Sequence, residues 1–92
     1  VEKFNARGQS LLHVAVWHSQ IDSVRILLRH HFPVDSRNAE GQTPLYFASM
    51  AGDIDIAKEL LKAGADPRAK DKSGQSPLSE AMSNPYNRRM QR

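Results

Sequence analysis

Gly41-Gln42-Thr43-Pro44-Leu45 is preceded by Gly8-Gln9-Ser10-Leu11-Leu12 and followed by Gly74-Gln75-Ser76-Pro77-Leu78, one phrase written three times at intervals of 33 residues. A fixed period of this length marks a tandem array, in which each unit buries its apolar face against its neighbours. The register extends well past the phrase. Asn5 aligns with Asn38 and Asp71, Ala15 with Ala48 and Ala81, Ile21-Asp22 with Ile54-Asp55, and Leu27-Leu28 with Leu60-Leu61.

Within the second unit, Thr43 before Pro44 is a helix start with a physical cause. The hydroxyl accepts from an otherwise unpaired backbone N–H, and proline at the first helical position gives up a donor that has no partner there. Ser76-Pro77 repeats the device, whereas Ser10-Leu11 keeps the cap without the proline. A short helix is therefore expected from Leu45 to about Ala51, a break at Gly52-Asp53, and a second helix from Ile54 to Lys62. Ile54, Ala57, Leu60 and Leu61 follow the three-four spacing of a buried stripe, with Asp55, Lys58, Glu59 and Lys62 facing water. Ile21, Val24, Leu27 and Leu28 do the same in the first unit. Gly64 stands where this second helix ends, a place for a left-handed residue. His31 holds the matching place in the first unit, so strain or an altered loop is expected around His30, His31 and Phe32.

Composition sets the outer limits. A chain of 92 residues buries a modest share of its unfolded surface, so its stability is expected to be marginal. Only two units are complete and the third stops after its first helix; with the opening at Val1, a piece of a longer array is expected. There is no cysteine, hence no disulfide framework and no thiol nucleophile. Apolar runs are short and no signal-peptide pattern opens the chain, which leads to the expectation of a soluble, intracellular, cytoplasmic protein without membrane insertion. The net charge of +3 invites a nucleic-acid reading. Residues 1–87 balance ten Lys or Arg against ten Asp or Glu, so the excess lies in Arg88, Arg89 and Arg92. A neutral body with a basic end is not a basic stripe, and no specific nucleic-acid partner is expected.

These residues resemble the ankyrin repeat. The closest unit is Asn38-Ala39-Glu40-Gly41-Gln42-Thr43-Pro44-Leu45-Tyr46-Phe47-Ala48, then Gly52-Asp53, then Leu60-Leu61-Lys62-Ala63-Gly64-Ala65-Asp66. The resemblance implies an all-α solenoid of helix-turn-helix units joined by long finger loops. It divides the chain into 1–4, the end of a preceding repeat or a linker; 5–37 and 38–70, two full repeats; 71–85, a partial third; and 86–92, a polar cap or frayed tail. Departures are informative: the opening histidine of the family is kept only as His13, with Tyr46 and Ser79 in its later places. Ser19 and Pro85 stand in the place of Gly52. The loop-tying bonds made by that histidine are therefore in question at Tyr46 and Ser79.

The resemblance also implies a noncatalytic protein-protein interaction module that binds on the face made by fingers and first helices. Its contact positions fall here on Arg7, Gln9, Trp17 and His18 in the first repeat. In the second they are Arg37, Glu40, Gln42, Met50 and Ala51, with Ala39 beside them; in the third, Lys70, Lys72, Ser73, Gln75 and Ser83, with Asn84. Trp17 is the sharpest, because an aromatic anchor dominates interface energetics, and Met50 would lie beside it one repeat along. The blander alternative is that Trp17 packs on the adjacent repeat. The finger charges Arg37, Glu40, Lys70, Asp71 and Lys72 either select a partner or form a solvated loop. A structural spacer or self-associating segment of a larger protein is the alternative function, with interfaces on the ends of the stack. No cofactor and no metal are expected, since adjacent His30 and His31 diverge and lack a third ligand. Ser10 and His13 lack an orienting carboxylate or oxyanion motif, so capping explains them better than catalysis, and no catalytic residue is assigned.

Overall fold

The computed structural model describes residues 10–83, which form five helices and, among the described residues, no strand. They are α1 (Leu11–Trp17), α2 (Ile21–Arg29), α3 (Pro44–Ala51), α4 (Ile54–Lys62) and α5 (Pro77–Ser83). The first helices α1, α3 and α5 pack in a row, α2 packs on α4 beside them, and each unit closes on itself through α1 with α2 and α3 with α4. The repeated phrase thus starts successive first helices, as its spacing requires.

The expected caps are present. Thr43 Oγ1 accepts from the Tyr46 N–H at 3.3 Å, with Pro44 at the first helical position. Ser10 accepts from the His13 N–H, while the His13 ring accepts the Ser10 N–H in return, so two buried and otherwise unpaired donors of the first turn are satisfied. In α5 the Ser76 N–H donates to Ser79 Oγ and the Ser79 N–H to Ser76 Oγ, the same reciprocal box made from two serines.

Left-handed residues close the helices in both full units. Gly52 has a φ of 69° and Gly64 of 97°, and their register mates Ser19 and His31 adopt 55° and 62°. His31 leaves the loop path unaltered: His31 N donates to Leu28 O and Phe32 N to Leu27 O, as Gly64 and Ala65 do to Leu61 and Leu60. The strain expected at His31 is therefore carried in its own backbone angle, where a Cβ meets the following carbonyl.

The core is a sheet of aliphatic side chains between helix rows. Leu12, Val16, Val24, Leu45, Ile56 and Leu60 are buried almost completely, each worth about 1.5–3 kcal/mol of burial free energy. Ala15, Ala48 and Ala81 are buried where the first helices meet, so a methyl is the largest group at that crossing point of each repeat. One expectation is corrected on α4. Ile56, Ala57 and Leu60 form the buried arc, Ile54 is half-buried and Leu61 is 46% exposed. The helix is wedged between α3 and α2, which rotates its buried side toward Ile56 and leaves Leu61 on the outer back. Glu59, expected in water, is instead half-buried and pairs with Arg25 of α2 at 3.5 Å.

Candidate functional site

The finger tips are built identically. Asn38 Oδ1 accepts the N–H groups of Glu40 and Gln42, and Asp71 Oδ1 those of Ser73 and Gln75, all at 2.9 Å. Such side-chain-to-backbone turns explain why a short polar residue opens each finger. Burial works against the Asp71 carboxylate, but the Ser73 hydroxyl and the amides of Gln75, Ser73 and Gly74 outweigh it and hold its pKa below the usual range. Gly41 is needed twice over, for a φ of 78° and because an added Cβ would lie 3.1 Å from the Lys72 nitrogen and 3.3 Å from the Asp71 Cα.

Neighbouring fingers are then tied together. Lys72 N–H donates to the Glu40 carbonyl at 3.0 Å, and the Arg37 guanidinium donates to the Lys70 carbonyl at 2.6 Å and to Gly41 at 3.2 Å. The Asp66 N–H donates to the Asp35 carboxylate at 3.1 Å. His13 completes the tie from below. Its Nδ1 receives the Ser10 N–H at 3.1 Å and its Nε2 reaches the Gln42 carbonyl at 2.6 Å. A backbone N–H can only donate and a carbonyl can only accept, so these two partners require the neutral ring with its proton on Nε2. Burial lowers the pKa of His13 from its ordinary value, opposed by the bond to Gln42.

Tyr46, in the place of His13, does something else: its hydroxyl donates to Glu80 of α5 at 3.3 Å, joining first helix to first helix. Burial and then the Glu80 charge raise its pKa. Ser79 donates to Gln75 Oε1 at 3.1 Å and to the Ser76 carbonyl. The family histidine's role is thus divided among different bonds at the two later positions.

Against this frame of fingers, Trp17, Met50 and Ala51 line a cleft of about 300 Å³ at the ends of α1 and α3. Trp17 is 60% exposed and meets Phe47 edge-on, with ring centroids 5.4 Å apart; Phe47 also meets His13 at 5.1 Å. Trp17 thus packs on the next repeat through Phe47, as the blander alternative has it, and leaves most of its ring exposed. Phe47 is the buried platform that sequence reasoning passed over. The signal was present in the matching three-residue steps Val14–Trp17 and Phe47–Met50, which put each pair on one helix face.

The remaining expected contacts separate into groups. Arg37, Gln42, Ser73 and Gln75 have side chains engaged within the fingers, Gln42 by accepting from Asn38 and Ser73 by donating to Asp71. Glu40, Lys70 and Lys72 have exposed side chains along the tips. His18 is exposed but borders a different cleft, beside Leu11 and Ile26, and is not brought to Met50. Ser83 ends α5, with its side chain outside the described residues, and Arg7, Gln9 and Asn84 lie outside them as well. Among the described residues no three His, Asp or Glu side chains gather as a metal cluster, and no helix is long and apolar enough to cross a membrane.

The model for ankyrin repeats, in three copies, matches residues 12–89. The chain belongs to the ankyrin-repeat family, whose members are in general protein-protein interaction modules and typically noncatalytic. A search of the curated proteins finds no significant match.

Proposed function

We propose that this chain binds a protein or peptide partner on the face made by the fingers and first helices, with an apolar side chain of the partner seated in the Trp17–Met50–Ala51 cleft. One observation carries the reading: a tryptophan that is largely exposed and yet held against a buried phenylalanine. An indole in that position offers a large contact area and loses little freedom on binding. The bonds between fingers supply the rest of the mechanism, because Glu40, Lys70 and Lys72 stand on a backbone already ordered before the partner arrives. Their exposed charges set orientation and encounter rate more than affinity.

Peptides selected from a random library on the wild-type chain, then titrated against Trp17→Ala and Leu61→Ser, test the proposal. Trp17→Ala is expected to weaken binding by about 30-fold or more, the effect of losing a hot-spot aromatic, while Leu61→Ser on the outer back leaves it intact. Equal affinities for wild type and Trp17→Ala, with loss on Leu61→Ser, would place the binding face on the second helices and refute the reading.

A further inference from the structure

A groove of about 330 Å³ lies on the outer back of the stack, where the second helices of the two full repeats meet. Arg25, Leu28 and Arg29 of α2 form one wall, and Glu59, Lys62 and Ala63 at the end of α4 form the other. All six are described residues, and the groove shares no residue with the Trp17 cleft.

The fold itself uses two of these charges. Arg25 Nε donates to Glu59 at 3.5 Å, while Arg25 Nη1 stands 3.9 Å from Asp22. Arg29 and Lys62 are left over: both are exposed, and neither forms an ion pair among the described residues. They stand one period apart, so they hold the same place on neighbouring helices and bring two like charges to one groove. Each sits in the last turn of its helix, where the backbone dipole favours a cation. The dipole accounts for a cation at each end. It leaves the two cations repelling each other, a repulsion that a carboxylate placed between them turns into attraction.

The sequence outside the described residues offers little to fill that place: Glu2 is its one acidic side chain, and the residues after Ser83 bring Arg88, Arg89 and Arg92 instead. The surroundings also select against a long polyanion. Asp22 and Asp55 are exposed in the first turns of α2 and α4, so a nucleic acid or an anionic membrane lying along the helices would meet carboxylates at their other end. A short segment avoids them, and Leu28 and Ala63 set hydrocarbon beside the cations, against which the methylenes of a glutamate side chain gain contact area. We infer that the α2–α4 groove is a second docking surface, which takes a short acidic segment of a protein partner with its carboxylates on Arg29 and Lys62.

Peptides selected on the wild-type chain from a library with glutamate fixed at alternate positions, then titrated by fluorescence anisotropy, test this. The double variant Arg29→Gln, Lys62→Gln is expected to weaken binding about tenfold or more, the loss of two charge-assisted contacts. Both side chains are exposed, so the variant keeps its fold. Glu59→Gln is expected to tighten binding a few-fold, because it releases Arg25 to the peptide and removes a like charge from the wall. Trp17→Ala should leave the affinity unchanged, and so should replacement of Arg88, Arg89 and Arg92 by glutamine. A library that yields no binder, or equal affinities for wild type and the double variant, would overturn the inference. Loss of binding on Trp17→Ala or on removal of the terminal arginines would overturn it too, by placing the acidic peptide elsewhere. So would phosphatidylserine vesicles or duplex DNA held through Arg29 and Lys62 more tightly than any peptide, or sedimentation of the chain as a dimer that the double variant dissolves, which would make the occupant a second copy.

Discussion

The first and second repeats follow one chain path with different means of holding it. In the second, α3 begins with a proline, Gly52 and Gly64 supply the left-handed turns, and Asp53 caps α4 by accepting the Ile56 N–H. The first has Leu11, Ser19, His31 and Gln20 in those places, and Gln20 makes no side-chain cap. Yet the closing bonds of the turns correspond: Ser19 and Gln20 donate to Val16 and Ala15 as Gly52 and Asp53 do to Ser49 and Ala48, and His31 and Phe32 donate as Gly64 and Ala65 do. Path is therefore set by packing between repeats, while local residue choice sets how much of that packing energy is offset by strain. The second repeat also lies between neighbours, with α3 touching α1, α4 and α5, whereas the first is covered on one side only among the described residues.

The largest expected consequence is in the core. Leu60→Ala removes a side chain with no exposed surface and should lower unfolding free energy by ~2–5 kcal/mol. Leu27, its register mate, is half-buried, and Leu27→Ala should cost roughly half as much. Equal losses in chemical denaturation would remove the asymmetry between repeats.

Helix ends come next, with opposite signs expected in the two units. Gly64→Ala should destabilise by roughly 1 kcal/mol through its left-handed backbone alone, since no atom lies within 4 Å of the added Cβ. His31→Gly should stabilise by up to about 1 kcal/mol by relieving the same strain. A cap added by Gln20→Asp should gain about 0.5–1 kcal/mol. Loss of stability in His31→Gly would show that its ring makes a contact worth more than the strain.

The smallest effect is a pH dependence confined to the joint between the two repeats. His13 holds its proton less tightly in the folded chain than its ordinary value of 6.5, so unfolding takes up a proton below that pH. Its contribution is complete above about 6.5, declines as the pH falls, and levels off below the folded value. Protonation would also set an N–H on Nδ1 against the Ser10 N–H. His13→Gln should remove this slope from stability measured between about pH 7 and 5. A slope unchanged in the variant would assign the dependence elsewhere.

Much of this was legible in the sequence because it depends on short-range chemistry. Thr43-Pro44, Ser76-Pro77, Gly52 and Gly64 each dictate a local backbone event, and their 33-residue recurrence dictates stacking. The site was less legible, since its side chains are assigned by contacts one repeat away. Arg37 looks like a contact residue but bonds to the Lys70 carbonyl, and His18 turns to the cleft beside Leu11 and Ile26 while Trp17 beside it turns to Phe47. Leu61 misled for a related reason: the period of one helix gives a stripe, but the wedge between α2 and α3 decides which arc is buried.

Native-state hydrogen exchange tests the central claim, a linear stack whose middle unit is clamped by its neighbours. The amides of α3 should exchange slowest, at rates set by global unfolding, with α1, α2 and α5 opening earlier and more readily. Uniform protection across all five helices, or α1 outlasting α3, would contradict the account.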